Sequence, residues 1–348
     1  MRSHGFLILT LIAVSTGCSS PDADAPMPQI TFEGVASKRH SPTTTETIDE
    51  FSVTAYYPEG HGFTTLLDAV TVKRTGPDKW SYSPGVDWPA APVNFLAVSP
   101  AHNKINVNYW WRNIIQDYVC TGAEDLLIAT RFNVRQDAGN ICLNFRHTLA
   151  QVHVGLFTRN TDSRIMVHKV YLRDIPSQGN YYLPSTTTYP FDDNDSTKAT
   201  GTWDTFSKSD VTYTIFKTDN DTVITDEIMH INSDRCFFLP GELDPLEHSG
   251  YYHGSRIEVL YQVFDPESGA LLWPSGATPV QDVDREEPQY AVARYSLLDG
   301  LDATSWHQGW SYNYTAELIP GISHNIHPYA KMNIKAREYN ISLQATSP

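Results

Sequence analysis

Short runs with apolar residues on alternate positions recur along this chain, each ended by Gly, Pro, Asn or Asp. In "FSVTAYY" the residues Phe51, Val53, Ala55 and Tyr57 alternate, and in "VNFLAVS" Val93, Phe95 and Ala97 do the same. A period of two puts such side chains on one face of a strand, so half-buried antiparallel strands are predicted. The second half repeats the pattern in longer runs: "RIMVHKVYL", "DVTYTIF", "RIEVLYQVF" and "WSYNYTAEL", with Ile257, Val259, Tyr261 and Val263 alternating in the third. Helical signals are scarce, and the stretch Asn113 to Tyr118 predicts one helical turn at most. Many short strands separated by turn residues point to an all-β fold of sandwiches rather than to βαβ units.

The polar stretch "RQDAGN", around Gln136 to Asn140, separates two apolar runs and marks a domain boundary. An N-terminal sandwich over 29–138 and a C-terminal one over 139–348 follow, which suits a chain of 348 residues. No repeat of the length used by propellers or solenoids is visible. The segment from Ile30 to Tyr57 reads as two strands joined by a long polar connector. Lys38 and Arg39 sit in that connector and are the only Lys or Arg between Arg2 and Lys73.

The N-terminus carries a processing signal. Arg2 precedes an apolar run from Phe6 to Val14, then Ser15, Thr16, Gly17 and Cys18. This is the basic, apolar and small-residue order of a secretory signal, and the apolar run is too short for a stable membrane span. The ending "STGCSS" resembles the lipobox of bacterial lipoproteins, although Ser15 stands where an aliphatic residue is usual. Residues 1–17 are therefore read as a lipoprotein signal peptide and Cys18 as the lipidated residue, palmitate included. Residues 18–28, rich in Pro and Asp, make a flexible tether that holds the folded part off an outer membrane.

Composition narrows the function. A formal net charge of -15 excludes a nucleic-acid partner, because neutralising phosphates needs clustered Lys and Arg. Cys120, Cys142 and Cys236 are too few and too widely spaced for a disulfide framework or a zinc motif. Buried structural thiols are the simplest reading; an exported chain can hold one disulfide among them, with the pair left open. No glycine-rich phosphate loop, nucleophile elbow or zinc-protease motif occurs, so neither an enzyme nor a cofactor is called for. His324 and His327 lie in a Gly- and Pro-bounded connector that does not align two rings on a metal. Asp192, Asn194 and Ser196 begin like a calcium loop, but Thr197 and Trp203 occupy the positions that need Gly and Glu. Glu286 and Glu287 are adjacent, so on an extended chain they face opposite ways and cannot pair across a glycosidic bond; a solvated loop is the expectation. Trp110 and Trp111 are read as packing residues rather than a sugar platform.

Seven segments in order, "FSVTAYY", "WPAAPVNFLAVSP", "DLLIAT", "LNFRHTLAQVHV", "VYLRDIPSQGNYY", "CFFLPGELDPL" and "GWSYNYTAEL", resemble the fimbrillin-like (Mfa-like) proteins of Bacteroidales, the subunits of type V pili. The resemblance runs from about Ile30 to about Leu318. It implies two transthyretin-like antiparallel β-sandwich domains, export as a lipoprotein, and assembly with other fimbrial subunits into an adhesive surface fimbria. It further implies a protease cut after a basic residue that follows the first strand. Matched to this chain, the removable strand carries Ile30, Phe32 and Val35, and the cut follows Lys38 and Arg39. A strand from another subunit would then fill the opened groove by β-augmentation. Met332, Ile334, Tyr339, Ile341 and Leu343 near the C-terminus are the donor candidates, the alternative being a last strand that completes its own domain. A surface glycan-binding lipoprotein is the competing function. Exposed aromatics at a loop tip would favour that reading, and a detachable first strand over an apolar groove would favour the pilus; the surface ligand itself, on host or bacterium, is not encoded in any motif.

Overall fold

The computed structural model describes residues 28–34, 48–76, 79–107, 113–184, 201–206, 211–232, 236–249, 251–301, 303–319 and 333–338, with the backbone alone for 33–34 and 333–338. Among these the fold is all-β: every regular element is a strand except two short 3-10 turns, Gln136–Ala138 and Val280–Asp282. Cys18, Val35, Lys38, Arg39, Trp110, Trp111, His324 and His327 lie outside the described residues.

The centre of the first half is a six-stranded antiparallel sheet in the order Lys79–Ser81, Gly62–Gly76, Glu50–Glu59, Val93–Ser99, Leu127–Val134, Arg146–His147. Alternation predicts half-buried strands here, yet Val93–Ser99 is buried at every position and Glu50–Glu59 from Phe51 through Tyr56. The reason is that apolar residues occupy both parities. Phe51, Val53, Phe95 and Ala97 enter one core, whereas Tyr56, Leu96 and Val98 enter another on the opposite face. The middle strands are thus an inner layer with no wet side, whereas the outer strands Gly62–Gly76 and Lys79–Ser81 keep exposed positions.

Polar residues are used at bulges, twice in this sheet and once in the separate pairing of Ile114–Val119 with Gln178–Tyr182. Ala69, Asp117 and Asn133 have left-handed backbones, with φ of 48°, 53° and 56°. In each case two residues oppose one on the neighbouring strand, and that one is Thr54, Asn180 or Asn94. Its side-chain oxygen accepts the N–H of the left-handed residue, at 3.2 Å from Thr54, 2.9 Å from Asn180 and 2.9 Å from Asn94. The bond satisfies a donor that the bulge removes from the ladder and offsets a left-handed cost of about 1–2 kcal/mol.

The second half contributes two sheets to one large core. The first runs Thr212–Ile224, Arg164–Arg173, Arg256–Phe264, Leu271–Trp273, with Ala291–Ser296 also on Arg256–Phe264, and all its pairings are antiparallel. The other runs Met229–His230, Ala150–Phe157, Trp310–Glu317, Asn333–Glu338, where the middle pair is parallel. Val167, Leu172, Val259 and Tyr261 from one sheet meet Val152, Leu156, Tyr312 and Tyr314 from the other in the same core.

One local outcome differs from the sequence reading. The stretch expected to hold a helical turn forms the strand Ile114–Val119, which pairs with Gln178–Tyr182 and so stitches the first half to the second. Tertiary pairing overrides local preference there. The polar stretch at 136–140 does hold a turn, but the strands Ile141–Leu143 and Arg146–His147 beyond it still pair with first-half strands. Cys120 and Cys236 are buried next to strands and Cys142 is half-buried within one; Cys120 donates its Sγ proton to the Phe237 carbonyl at 3.3 Å, and burial pushes its thiol pKa up.

Because the central sheet has cores on both faces, Phe95→Ala and Leu96→Ala should each be costly although they are neighbours. We expect losses of about 3–5 kcal/mol for the first and about 2–5 kcal/mol for the second. Urea unfolding of the two variants measures this; a tolerated Leu96→Ala would mean that its face is wet.

Candidate functional site

Residues 28–34 lie across the edge of the first core. Ile30 and Phe32 are two positions apart, so both point inward, and they are 1% and 5% exposed. The Phe32 ring packs edge-on against Phe51, Tyr82 and Phe95 at centroid distances of 6.2, 5.6 and 5.9 Å. Burying each of these two side chains contributes about 1.5–3 kcal/mol.

The segment is held on two sides by main-chain bonds. On one side the Ile30 N–H donates to the Val86 carbonyl at 2.9 Å, and the Trp88 N–H donates to the Pro28 carbonyl at 3.3 Å. On the other the Ile141 N–H donates to the Thr31 carbonyl at 2.8 Å, and the strand Phe32–Gly34 then runs parallel to Ile141–Leu143. The slot is therefore lined by backbone donors and acceptors along its length and by apolar side chains at its floor, as a site for an added strand needs. Tyr82 ties the segment to the loop beside it: its hydroxyl donates to the Ile30 carbonyl at 3.0 Å and accepts the Val86 N–H at 3.3 Å. Burial raises the Tyr82 phenol above its ordinary pKa, against the opposing pull of the Val86 N–H, so it keeps the proton it donates.

Ile30 and Phe32 are thus brought together in one slot, next to Tyr82, Val86 and Ile141, which sequence reasoning did not single out. The signal for Tyr82 was an aromatic inside the Pro- and Gly-rich stretch "WSYSPGVDW". For Ile141 there was none, because a parallel pairing over so long a separation leaves no local pattern.

At the other end of the chain, Asn333–Glu338 pairs antiparallel with Trp310–Glu317, Ile334 standing opposite Tyr314. Here the segment completes its own sheet, the alternative to donation. Met332, Tyr339, Ile341 and Leu343 are outside the described residues, as are Asp192, Asn194 and Ser196. Trp203, from the same stretch, is in the strand Thr202–Phe206 and donates its indole N–H to the Thr148 carbonyl at 2.7 Å. Glu287 lies in the loop and is partly exposed, and there it pairs with Lys169 and, at 3.2 Å, with His168 Nε2, while Glu286 is exposed. Among the described residues no group of three or more His, Cys, Asp or Glu is arranged to hold a metal.

The described residues form layered β-sheets, with the short strand Phe32–Gly34 seated in its own slot beside Ile141–Leu143. The sequence model of the fimbrillin-like family matches residues 39–233, more than half of the chain, and the protein belongs to that family. Among solved structures it is similar to a fimbrial protein from Bacteroides vulgatus ATCC 8482, at 12% identity and a TM-score of 0.55, with 91% of this chain and 99% of that one covered. It is also similar to a fimbrilin from Porphyromonas gingivalis W83, at 9% identity and a TM-score of 0.46, covering 88% and 96%. The first of these likenesses carries the fold. A comparison with curated proteins finds no match.

Tyr82→Phe removes one hydroxyl from this slot and should loosen residues 28–34 without disturbing the rest. A cost of about 0.5–1.5 kcal/mol is expected. Faster amide exchange at Ile30 in the variant, with unchanged exchange in the strand Arg256–Phe264, is the readout; unchanged exchange at Ile30 would show that the hydroxyl does not hold the segment.

Proposed function

We propose that this protein is a structural and adhesive subunit of a cell-surface type V fimbria. The observation that carries the reading is the seating of residues 28–34: two inward apolar side chains, main-chain bonds on both sides, and a polar connector with an isolated basic pair directly after it. Membership of the fimbrillin-like family supports it.

In this account the chain is exported as a lipoprotein modified on Cys18 and tethered to the outer-membrane lipid. Proteolysis after Arg39, in the Lys38–Arg39 pair, frees the strand bearing Ile30, Phe32 and Val35. The slot so opened exposes Phe51, Phe95 and Ile141, whose apolar surface is unfavourable in water and favours capture of a strand. The incoming strand comes from the C-terminal segment of another subunit, with Met332, Ile334, Tyr339, Ile341 and Leu343 offering alternate side chains. Since Asn333–Glu338 is paired within its own chain, donation requires that strand to leave Trp310–Glu317 first. The two halves would act as two transthyretin-like domains that share the larger core. Surface glycan binding is a second reading, favoured by one observation, the exposed Tyr251 at a hairpin tip.

N-terminal sequencing and mass measurement of surface-extracted protein test the proposal. A mature chain beginning at His40 is expected, and Arg39→Ala should abolish high-mass ladders on gels. A lipidated chain starting at Cys18 with no shorter form, or unchanged ladders in the variant, would contradict strand exchange.

A further inference from the structure

The hairpin Glu247–His248 and Tyr252–His253 overhangs the sheet strand Arg256–Phe264 and, with the loop through Asp284 and Arg285, bounds an open cleft of about 460 Å³. Its rim is exposed and mixed in character, and its floor is charged and largely buried. On the rim stand Tyr251, 57% exposed, and Val280, 82% exposed. Tyr251 is held rather than loose: the Arg285 guanidinium lies 5.8 Å from its ring centroid and His253 meets it edge-on at 4.8 Å. A ring presented in this way costs little further ordering when something stacks on it.

The floor is a fixed lattice of charges around Glu258. Its Oε1 accepts from Arg256 Nε at 2.8 Å and Arg294 Nε at 3.1 Å, and Arg173 pairs with its other oxygen. Arg256 also pairs with Asp174 and donates to the Gly254 carbonyl at 2.9 Å, and Arg294 donates to the Gln281 carbonyl at 2.9 Å. Burial works against the charge on Glu258, but the three arginines outweigh it and hold the carboxyl below its ordinary pKa.

Two observations bear on the chemistry of what this cleft takes. First, four lining arginines, Arg173, Arg256, Arg285 and Arg294, face four lining carboxylates, Asp174, Glu258, Asp284 and Glu286, so the cleft has no net charge with which to select an anion. Second, the polar lining groups that reach solvent beside Tyr251 are His253, Gln281, Arg285 and Glu286. Tyr252, only 8% exposed and covered by the Arg294 guanidinium at 4.2 Å, belongs to the buried floor.

A ligand that fits has an apolar face for Tyr251 and several neutral hydroxyls that both donate and accept, for alternating guanidinium and carboxylate groups. A pyranose ring has that combination: axial C–H bonds on one face and hydroxyls around the edge. We propose that this cleft binds a neutral pyranose saccharide, with Tyr251 as the stacking platform and His253, Arg285 and Glu286 as the hydrogen-bonding groups. The site is on the sheet of Arg256–Phe264, a different sheet from those that hold residues 28–34, and its function does not depend on strand exchange.

Saturation-transfer NMR with the full chain tests this, using methyl β-galactopyranoside, methyl α-mannopyranoside and methyl α-fucopyranoside as neutral probes and N-acetylneuraminic acid as a charged one. Transfer to the ring C–H protons of at least one neutral glycoside is expected. Tyr251→Ala should weaken it about tenfold or more, and Tyr251→Trp should retain it. Tyr251 is exposed, so neither change threatens folding. No transfer to any neutral glycoside, transfer undiminished in Tyr251→Ala, or binding of the charged sugar alone would each overturn the proposal.

Discussion

The rest of the structure depends on one constraint: the middle strands of the six-stranded sheet, Glu50–Glu59 and Val93–Ser99, have to bury both of their faces. Phe95 and Leu96 are consecutive residues that enter different cores, so the sheet cannot shift register by one without exchanging the two cores' contents. That requirement explains the polar residues inside it. Ser52, Thr54 and Asn94 are buried, and Thr54 and Asn94 stay tolerable because each accepts an N–H released by a bulge opposite. The bulges in turn twist the sheet, and their left-handed residues are stabilised by the same bonds.

Burial on both faces also creates the slot. A sheet with a wet outer face would need no covering strand, whereas here Phe51, Phe95 and Ile141 face a second layer that must be closed by something. Residues 28–34 close it with two side chains and a few main-chain bonds. This short segment is held without belonging to any sheet of the interior, because its hydrogen bonds go to the loop at Val86 and Trp88 and to the short strand Ile141–Leu143. Strand-exchange assembly, as proposed, uses that separability.

Much of this was legible from the order of residues. Alternation located the strands containing Phe51, Val93, Arg164, Arg256 and Trp310, and the position of Ile30 and Phe32 before a polar connector marked the first strand. What escaped has physical reasons. A strand buried on both faces with polar residues at its bulges looks half-exposed by periodicity, so Thr54 and Asn94 read as solvent-facing. The stretch from Asn113 to Tyr118 has no strong preference of its own, and it becomes a strand through its pairing with Gln178–Tyr182. Glu287 reads as a loop carboxylate until folding brings Lys169 and His168 to it across a long separation. Tyr251 and Tyr252 are adjacent in sequence, yet a hairpin sends one to solvent and the other beneath Arg294.

The central claim is that residues 28–34 act as a separable plug for a preformed slot, and the Trp88 and Ile141 amides report on it directly. Both donate to the segment, to Pro28 and Thr31 respectively. Hydrogen exchange compared between the chain that includes residues 28–39 and one beginning at His40 should show these two amides losing protection in the shorter chain, and a synthetic peptide of residues 28–39 should restore it. Equal protection in both chains, with the peptide without effect, would contradict the account.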